Sequence, residues 1–300
     1  MANAREIQSR MNSIKSTMKI TNAMYTISSS KLKRARKALT DTEPYFYALQ
    51  RTIARIIRHT PDIDDPYLDT RPHIKKEERK IGYIVVTADK GLAGSYNHNI
   101  FKLAQDQIDK GGNPMLFVVG DLGQQYFTKK GIPVEQDFRY TVQKPNMSRA
   151  RIIEEKIVDY FLSGKLDEVY MIYTRMVNAM KMEAEIEQLL PIPKHRIGQT
   201  VPINVHLEEI TMKPSPQAVI DAIVPNYIAG FIYGGLVESY SSEQNSRMMA
   251  MQAATKSAQE MLDELAITYN RIRQAAITQE ITEVISGAKA QKKKRKKCSS

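Results

Sequence analysis

The sequence has no tryptophan and a single cysteine, Cys298. One thiol excludes a disulfide framework, a redox-active thiol pair and a cysteine-based zinc site, and fits a reducing compartment. The N-terminal residues MANAREIQSRMNSIKS are charged and polar with no apolar centre, which excludes a secretory signal. No stretch reads as the run of about 18 apolar residues that a membrane span needs. Glycine and proline are missing from two long stretches, Ala2 to Glu43 and Leu236 to Ser286, so nothing there stops a helix.

The second of these stretches organises the chain. As a helix it would be roughly 75 Å long, more than one globular core can cover. It must be a rod with a partner. Met251, Ala258, Leu265 and Ile272 recur every seventh residue, and Ala254, Met261 and Ala275 are expected to complete a coiled-coil stripe. Upstream, Ala218–Val224 reads as a short apolar helix, with Pro225 opening the long one. Gly230 and Gly234, on one face, would let another backbone approach closely.

The partner is expected at the other end of the chain. Ile7, Met11, Ile14 and Met18 form a helical seam that resumes out of phase at Ile20, Met24 and Ile27. Pro44 should kink this helix without ending it, because Leu49, Ile53, Ile56 and Ile57 carry the stripe to His59. The two rods predict an antiparallel pair with a compact domain spliced between them, over residues 1–60 and 217–288.

Residues 81–190 change character. Short apolar runs at 82–87, 115–119 and 169–173 read as buried strands, and amphipathic segments at 97–110, 122–130 and 149–162 as helices between them. Residues 182–190 alternate as an antiparallel strand would. The class is α/β: a Rossmann-like domain inserted into a long antiparallel coiled coil, closed by a Pro-rich connection over 191–216. Before it, Asp62, Asp64 and Asp65 lack the glycine and distal glutamate of a calcium loop and read as a solvated loop.

Catalytic signals are weak. ADKGLAGSYN follows the first strand, where a doubly wound sheet places its ligand. Yet Gly91 and Gly94 fit neither the phosphate-loop spacing nor G-x-G-x-x-G, and Gly120 and Gly123 form only a fragment, so tight turns are expected. His59, His73, His98, His195 and His206 show no ligand spacing.

The net charge of +11 is concentrated at Lys31, Lys33, Arg34, Arg36 and Lys37 and at Lys292 to Lys297. A solvated helix face and an anion-docking surface are both open readings of the first run. No aromatic residues interleave with it, which counts against single-stranded nucleic acid. A basic coiled-coil scaffold or nucleic-acid-binding protein is the rival class and predicts steeply salt-dependent binding to DNA or RNA.

Three separated motifs carry a resemblance. RQAAITQEITEVISGA, through Ala288, is similar to the C-terminal signature of the gamma subunit of F-type ATP synthase. REIQSRMNSIKSTMKITNAMYTISSSKLKRAR resembles that family's N-terminal helix, and TADKGLAGSYN its central-domain loop. The resemblance implies a non-catalytic rotor shaft, turned by a proton-driven membrane ring, whose asymmetry takes the catalytic sites of a hexameric head through different nucleotide affinities. It implies alpha and beta head subunits, an epsilon subunit and the membrane c-ring as partners, with no nucleic acid and no direct membrane span. The chain itself would hold no cofactor, Mg-ATP and ADP being bound by the head. The location implied is peripheral, on the cytoplasmic face of the cell membrane.

By the same correspondence Arg273, Gln274, Thr278 and Glu280 would meet loops of the head. Met24 would lie near an acidic segment of the catalytic subunits, and Lys31, Lys33 and Arg34 would face the head's lower rim or the ring. The middle domain has no cysteine-containing insert, so the thiol-regulated form of the family is not supported. The basic tail, 289–300, is expected to be a disordered, solvated end. A basic arm meeting acidic head residues and an appended segment with Cys298 as a handle are the alternatives.

Overall fold

The computed structural model describes residues 4–61, 63–111, 113–193 and 211–298, with side chains to Lys289. Two helices dominate it: α1, Ala4–His59, and α5, Pro216–Cys298. Between them lie β1 (Lys80–Val86), α2 (Tyr96–Ile108), β2 (Asn113–Val119), α3 (Asp121–Lys129), α4 (Met147–Leu162), β3 (Glu168–Met176) and β4 (Met182–Leu190). The chain divides into two compact units, Ile27–Met248 and the pair of segments Met1–Thr26 and Met249–Ser300.

In the larger unit the strands order as β2-β1-β3-β4. The first three are parallel, with Ile84 level with both Phe117 and Met171, and β4 returns antiparallel along β3. Parallel strands are covered on both faces, which is why β1 and β2 read as unbroken apolar runs. One face packs Tyr83, Val85, Leu116, Val118 and Ile172 against Ile100 and Ala104 of α2 and Phe127 of α3. The other packs Ile84, Phe117, Val119 and Met171 against Ile153, Ile157 and Phe161 of α4, and the same core takes in Ile53 of α1 and Ile228, Ile232 and Val237 of α5. Each fully buried side chain of this kind stabilises the fold by about 1.5–3 kcal/mol. The core therefore holds the middle of both long helices against the sheet.

Pro225 does not open a helix. It sits inside α5, and Pro216 takes the first helical position, where a missing N–H costs nothing. The Asp221 carbonyl that loses its donor belongs to an exposed residue, and Asn226 Nδ2 donates to the neighbouring Ala222 carbonyl at 3.0 Å. Of the two glycines expected to meet a backbone, only Gly230 lies against another element, the ring of Phe46; Gly234 faces open space and Gly235 meets Met171. Within this unit α1 and α5 are antiparallel. Phe46 of α1 lies at Gly230, and Ala35 and Ala38 line one cleft with Val237 and Tyr240.

Asp65 is no solvated loop residue. It is 2% exposed, its Oδ1 accepts from the Tyr67 amide at 2.8 Å and its Oδ2 from Gln217 Nε2 at 2.6 Å. Burial raises its pKa, and these two donors oppose the shift. Asp62 lies outside the described residues, as does most of the Pro-rich connection.

In the smaller unit the seam differs in detail from the sequence reading. Along α5, Met251, Thr255, Ala258, Leu262, Leu265, Tyr269 and Ile272 are buried or half-buried, while Ala254, Met261 and Ala275 are exposed. Steps of four and three residues give the repeat of a coiled coil. Along α1 Ile7, Met11, Ile14 and Met18 continue to Thr21, which is 8% exposed; of the residues expected out of phase, Met24 is half-buried, whereas Ile20 is 60% exposed. The hydroxyls of Thr21 and Thr255 lie 2.7 Å apart across the seam. On the same helix, in the larger unit, Ser28 and Ala35 keep the seven-residue step while Ile27 is exposed.

The tail expected to be disordered continues as helix to Cys298. Lys, Arg, Ala and Gln are good helix formers, and no breaker follows Gly287.

Candidate functional site

Among the side chains described, Ile272 is the last of α5 with any shelter; every residue from Arg273 to Lys289 is exposed. Four of them are large and apolar: Ile277, Ile281, Val284 and Ile285. Their spacing puts them on one stripe of the helix, since each residue advances about 100°. The same geometry sets Gln274 and Thr278 along one edge of that stripe and Arg273 and Glu280 along the other. All four residues nominated from the sequence therefore share one half of the helix circumference. The opposite half carries Ala275, Gln279, Thr282 and Ser286.

The polar groups here are unequally committed. Thr278 Oγ1 donates to the Gln274 carbonyl at 2.9 Å, and Thr282 Oγ1 to the Thr278 carbonyl at 2.7 Å. Gln279 Nε2 donates to Glu283 Oε1 at 3.0 Å. Among the described residues the side chains of Arg273, Gln274 and Glu280 make no hydrogen bond, so each is free to meet an external group. An apolar stripe edged by uncommitted polar side chains suits an enclosing protein surface.

The ends of β1 and β2 pack closely on one another. Gly120 and Gly123 approach Thr87 so closely that a Cβ on either would collide with it. Gly120 also has φ of 100°, open to glycine at little cost. Thr87 Oγ1 donates to the Val119 carbonyl at 2.9 Å and accepts from the Gly123 amide at 3.1 Å. These contacts make Gly120 and Gly123 packing glycines, whereas Gly91 and Gly94, in the turn after β1, have open space where a Cβ would sit.

The loop that follows is bound to α5. Arg247 Nη2 donates to the carbonyls of Lys90 and Gly91, both at 3.0 Å, and to Glu243 Oε1 at 2.6 Å. Tyr96 Oη and Ser239 Oγ are 2.7 Å apart, Ser242 Oγ donates to the Thr174 carbonyl at 3.1 Å, and Asn245 Nδ2 to the Ala179 carbonyl at 2.7 Å. Ser239, Ser242 and Glu243 are fully buried. Burial pushes the Glu243 carboxyl up, while the Arg247 guanidinium pulls it back. Directional bonds of this kind fix both the rotation and the height of α5 on the domain, where apolar packing alone would let it slide. The loop ADKGLAGSYN is singled out in the sequence, but its partners on α5, Ser239, Glu243 and Arg247, are not, although the polar run SYSSEQNSR inside an apolar helix was the available signal.

The remaining nominated residues are scattered. Met24 is half-buried in the smaller unit; in the larger one Lys31 is half-buried and Lys33 and Arg34 are exposed. Lys31 and Arg34 line a cleft that Lys33 does not. His59, His73 and His98 are exposed, and His195 and His206 lie outside the described residues. One window of α5 reaches a mean hydropathy of 1.3, enough by length and composition to cross a membrane, contrary to the sequence reading. That window is 56% buried inside the protein, and Ile220, Val224, Ile228, Ile232 and Val237 belong to the core described above.

A family model described as ATP synthase matches residues 3–291. The chain is 45% identical to the ATP synthase gamma chain of Ruminiclostridium cellulolyticum, over 96% of this chain and 98% of that one. It is 43% identical to the ATP synthase gamma chain of Acetivibrio thermocellus, over 97% and 100%. A relative from Acetobacterium woodii, described as a sodium ion specific ATP synthase gamma chain, is 35% identical over 96% and 98%. Among solved structures the fold is similar to a chain of the Euglena gracilis mitochondrial ATP synthase, with a TM-score of 0.62 and 17% identity over 96% of this chain and 94% of that one. It is also similar to a chain of the central stalk and c-ring of the Tetrahymena thermophila enzyme, with a TM-score of 0.58 and 22% identity over 78% and 99%. At these identities the structural likeness speaks to the fold.

Proposed function

The chain belongs to the ATP synthase gamma-chain family, and from that premise we propose that it is the central-stalk rotor that carries torque between a membrane ring and a catalytic head. One observation carries the reading most directly. A helix that holds a strict coiled-coil seam as far as Ile272 then exposes an apolar stripe, Ile277 to Ile285, that no other part of the described chain covers. A tip of that kind suits a bearing enclosed by other subunits.

The rest of the molecule fits the same task. The seam stiffens the shaft, and the buried polar bonds between α5 and the α/β domain join shaft to foot without slip. Nucleotide chemistry is left to the head, where Mg-ATP and ADP would be bound. Shaft angle then sets which conformation of each catalytic subunit is favoured, because a rotated, asymmetric tip makes different contacts with each. In this account Arg273, Gln274, Thr278 and Glu280 touch the alpha and beta subunits. Met24, Lys31, Lys33 and Arg34 lie nearer the lower rim or the ring, and the foot meets an epsilon subunit and the c-ring. The complex is membrane-associated, with this chain peripheral on the cytoplasmic face and a proton current driving the ring.

Reconstitution tests the reading. Head subunits assembled with the chain should hydrolyse ATP well above head subunits alone, and Arg273→Ala with Glu280→Ala should reduce the gain. ATP hydrolysis by the isolated chain would sink the proposal. A sodium gradient, in place of a proton gradient, driving synthesis by the whole complex would overturn the choice of ion.

A further inference from the structure

A cleft of about 250 Å³ in the larger unit lies between α1, α5 and the segment Gln143–Pro145. Three cations line it: Lys31 and Arg34, one turn apart on α1, and Lys144 from the segment. Ala35, Ala38, Val237 and Tyr240 supply the apolar part of its wall. Among the described residues none of the three cations makes a salt bridge. The nearest compensation is for Lys31, whose charge helps hold the buried Glu243 carboxyl ionised.

The backbone at the lip is held in a costly conformation. Lys144 has φ of 50°, the left-handed region, although it has a side chain and precedes a proline, which disfavours helical conformations of either hand. The neighbouring residues are pinned: Arg149 Nη1 donates to the carbonyls of Thr141 and Gln143 at 2.8 and 2.9 Å, and the Gln143 amide donates to Thr141 Oγ1 at 3.0 Å. Thr141 is in turn bonded to Asp89. Strain kept by an over-determined loop is found where a group must be aimed, and here the residue aimed is the third cation of the cleft.

We propose that this cleft binds an aromatic phosphate ester. Arg34 offers a planar fork for two phosphate oxygens, and the two lysines add point charges on either side. The apolar wall takes the ring, which a bare carboxylate or phosphate would leave unfilled. That wall favours an organic phosphate over the acidic side chain of a partner protein, which would satisfy the charges and leave the cavity empty.

The test is calorimetric titration of the full chain with phenyl phosphate at physiological ionic strength. The expected result is saturable one-to-one binding with a submillimolar Kd, at least about tenfold tighter than inorganic phosphate. Arg34→Gln with Lys144→Gln should weaken binding about tenfold or more with the melting temperature unchanged, because both residues are exposed. Lys102→Gln with Lys129→Gln, which removes the same charge elsewhere, should change it less than about twofold. Absence of saturable binding, equal loss in the two double variants, or equal affinity for inorganic phosphate would each overturn the proposal. So would a glutamate-rich peptide that binds the cleft more tightly than phenyl phosphate, since the surface would then be one for docking protein.

Discussion

Arg247 of α5 donates to the backbone carbonyl of Gly91 at 3.0 Å, joining residues 156 positions apart in the sequence. The same guanidinium holds the Lys90 carbonyl and the buried carboxylate of Glu243. One side chain thus ties the loop after the first strand to the middle of the long helix.

Removing that tie should be costly and its cost should be divisible. Arg247→Met leaves Glu243 charged and buried, and unfolding of the α/β unit is expected to become easier by about 3–5 kcal/mol. Adding Glu243→Leu should recover most of the loss, because the uncompensated charge goes with it. Urea denaturation of the wild type, both single variants and the pair closes the cycle. Additive losses would show that the two groups act separately.

Glu154 gives a pH prediction. It is nearly buried on α4, and burial, with the nearby Glu155 charge, pushes its carboxyl up to about 7, opposed by Arg151. The folded-state pKa is raised, so the unfolded chain gives up this proton first, near its ordinary value of about 4.5. Between there and about pH 7 the folded state binds more protons, and stability falls as pH rises. Glu154→Gln should remove that slope and stabilise the chain at pH 8 by an amount on the order of 2 kcal/mol. Thermal melts of both proteins at intervals from pH 4 to 8 read the difference directly.

The glycines after β1 and β2 should differ in their tolerance of alanine. Gly120→Ala and Gly123→Ala push a methyl group into Thr87, and each should destabilise the domain by about 1–3 kcal/mol. Gly91→Ala meets open space and keeps its carbonyl for Arg247, so a change within about 0.5 kcal/mol is expected. Isolated-chain ATP titrations should be flat for all three. A phosphate-binding loop would instead make Gly91 the sensitive position.

Thr21 and Thr255 form the polar step of the seam. Thr21→Ala or Thr255→Ala should each cost about 1 kcal/mol, and the double variant less than the sum of the two. Strictly additive losses would mean that the hydroxyls do not bond in solution.

These residues also show what the sequence could not tell. The positions Met251, Ala258, Leu265 and Ile272 were legible because they repeat every seven residues and are apolar or small. Thr21 and Ser28 are not legible because a hydroxyl does not show in an apolar pattern, and their exposed neighbours Ile20 and Ile27 fit that pattern instead. Strands were legible from unbroken apolar runs, since both faces of a parallel sheet are covered. Pro225 misled because a proline usually marks a first turn, and here Pro216 already held that place. The tip residues Arg273, Gln274, Thr278 and Glu280 came from resemblance alone; the structure adds the exposed stripe that they flank. The tie through Arg247 depends on a tertiary contact between a loop and a helix far apart in sequence, and no local pattern announces it.

A central-stalk rotor must turn inside the head. The most direct measurement fixes a reconstituted head to a surface, attaches a bead to the α/β domain and follows it under saturating Mg-ATP. The expected result is rotation in one direction, strongly impaired when Ile277→Asp and Ile281→Asp alter the exposed stripe without unfolding the chain. A head that hydrolyses ATP at its full rate while the bead stays still, or turns in either direction at random, would contradict it.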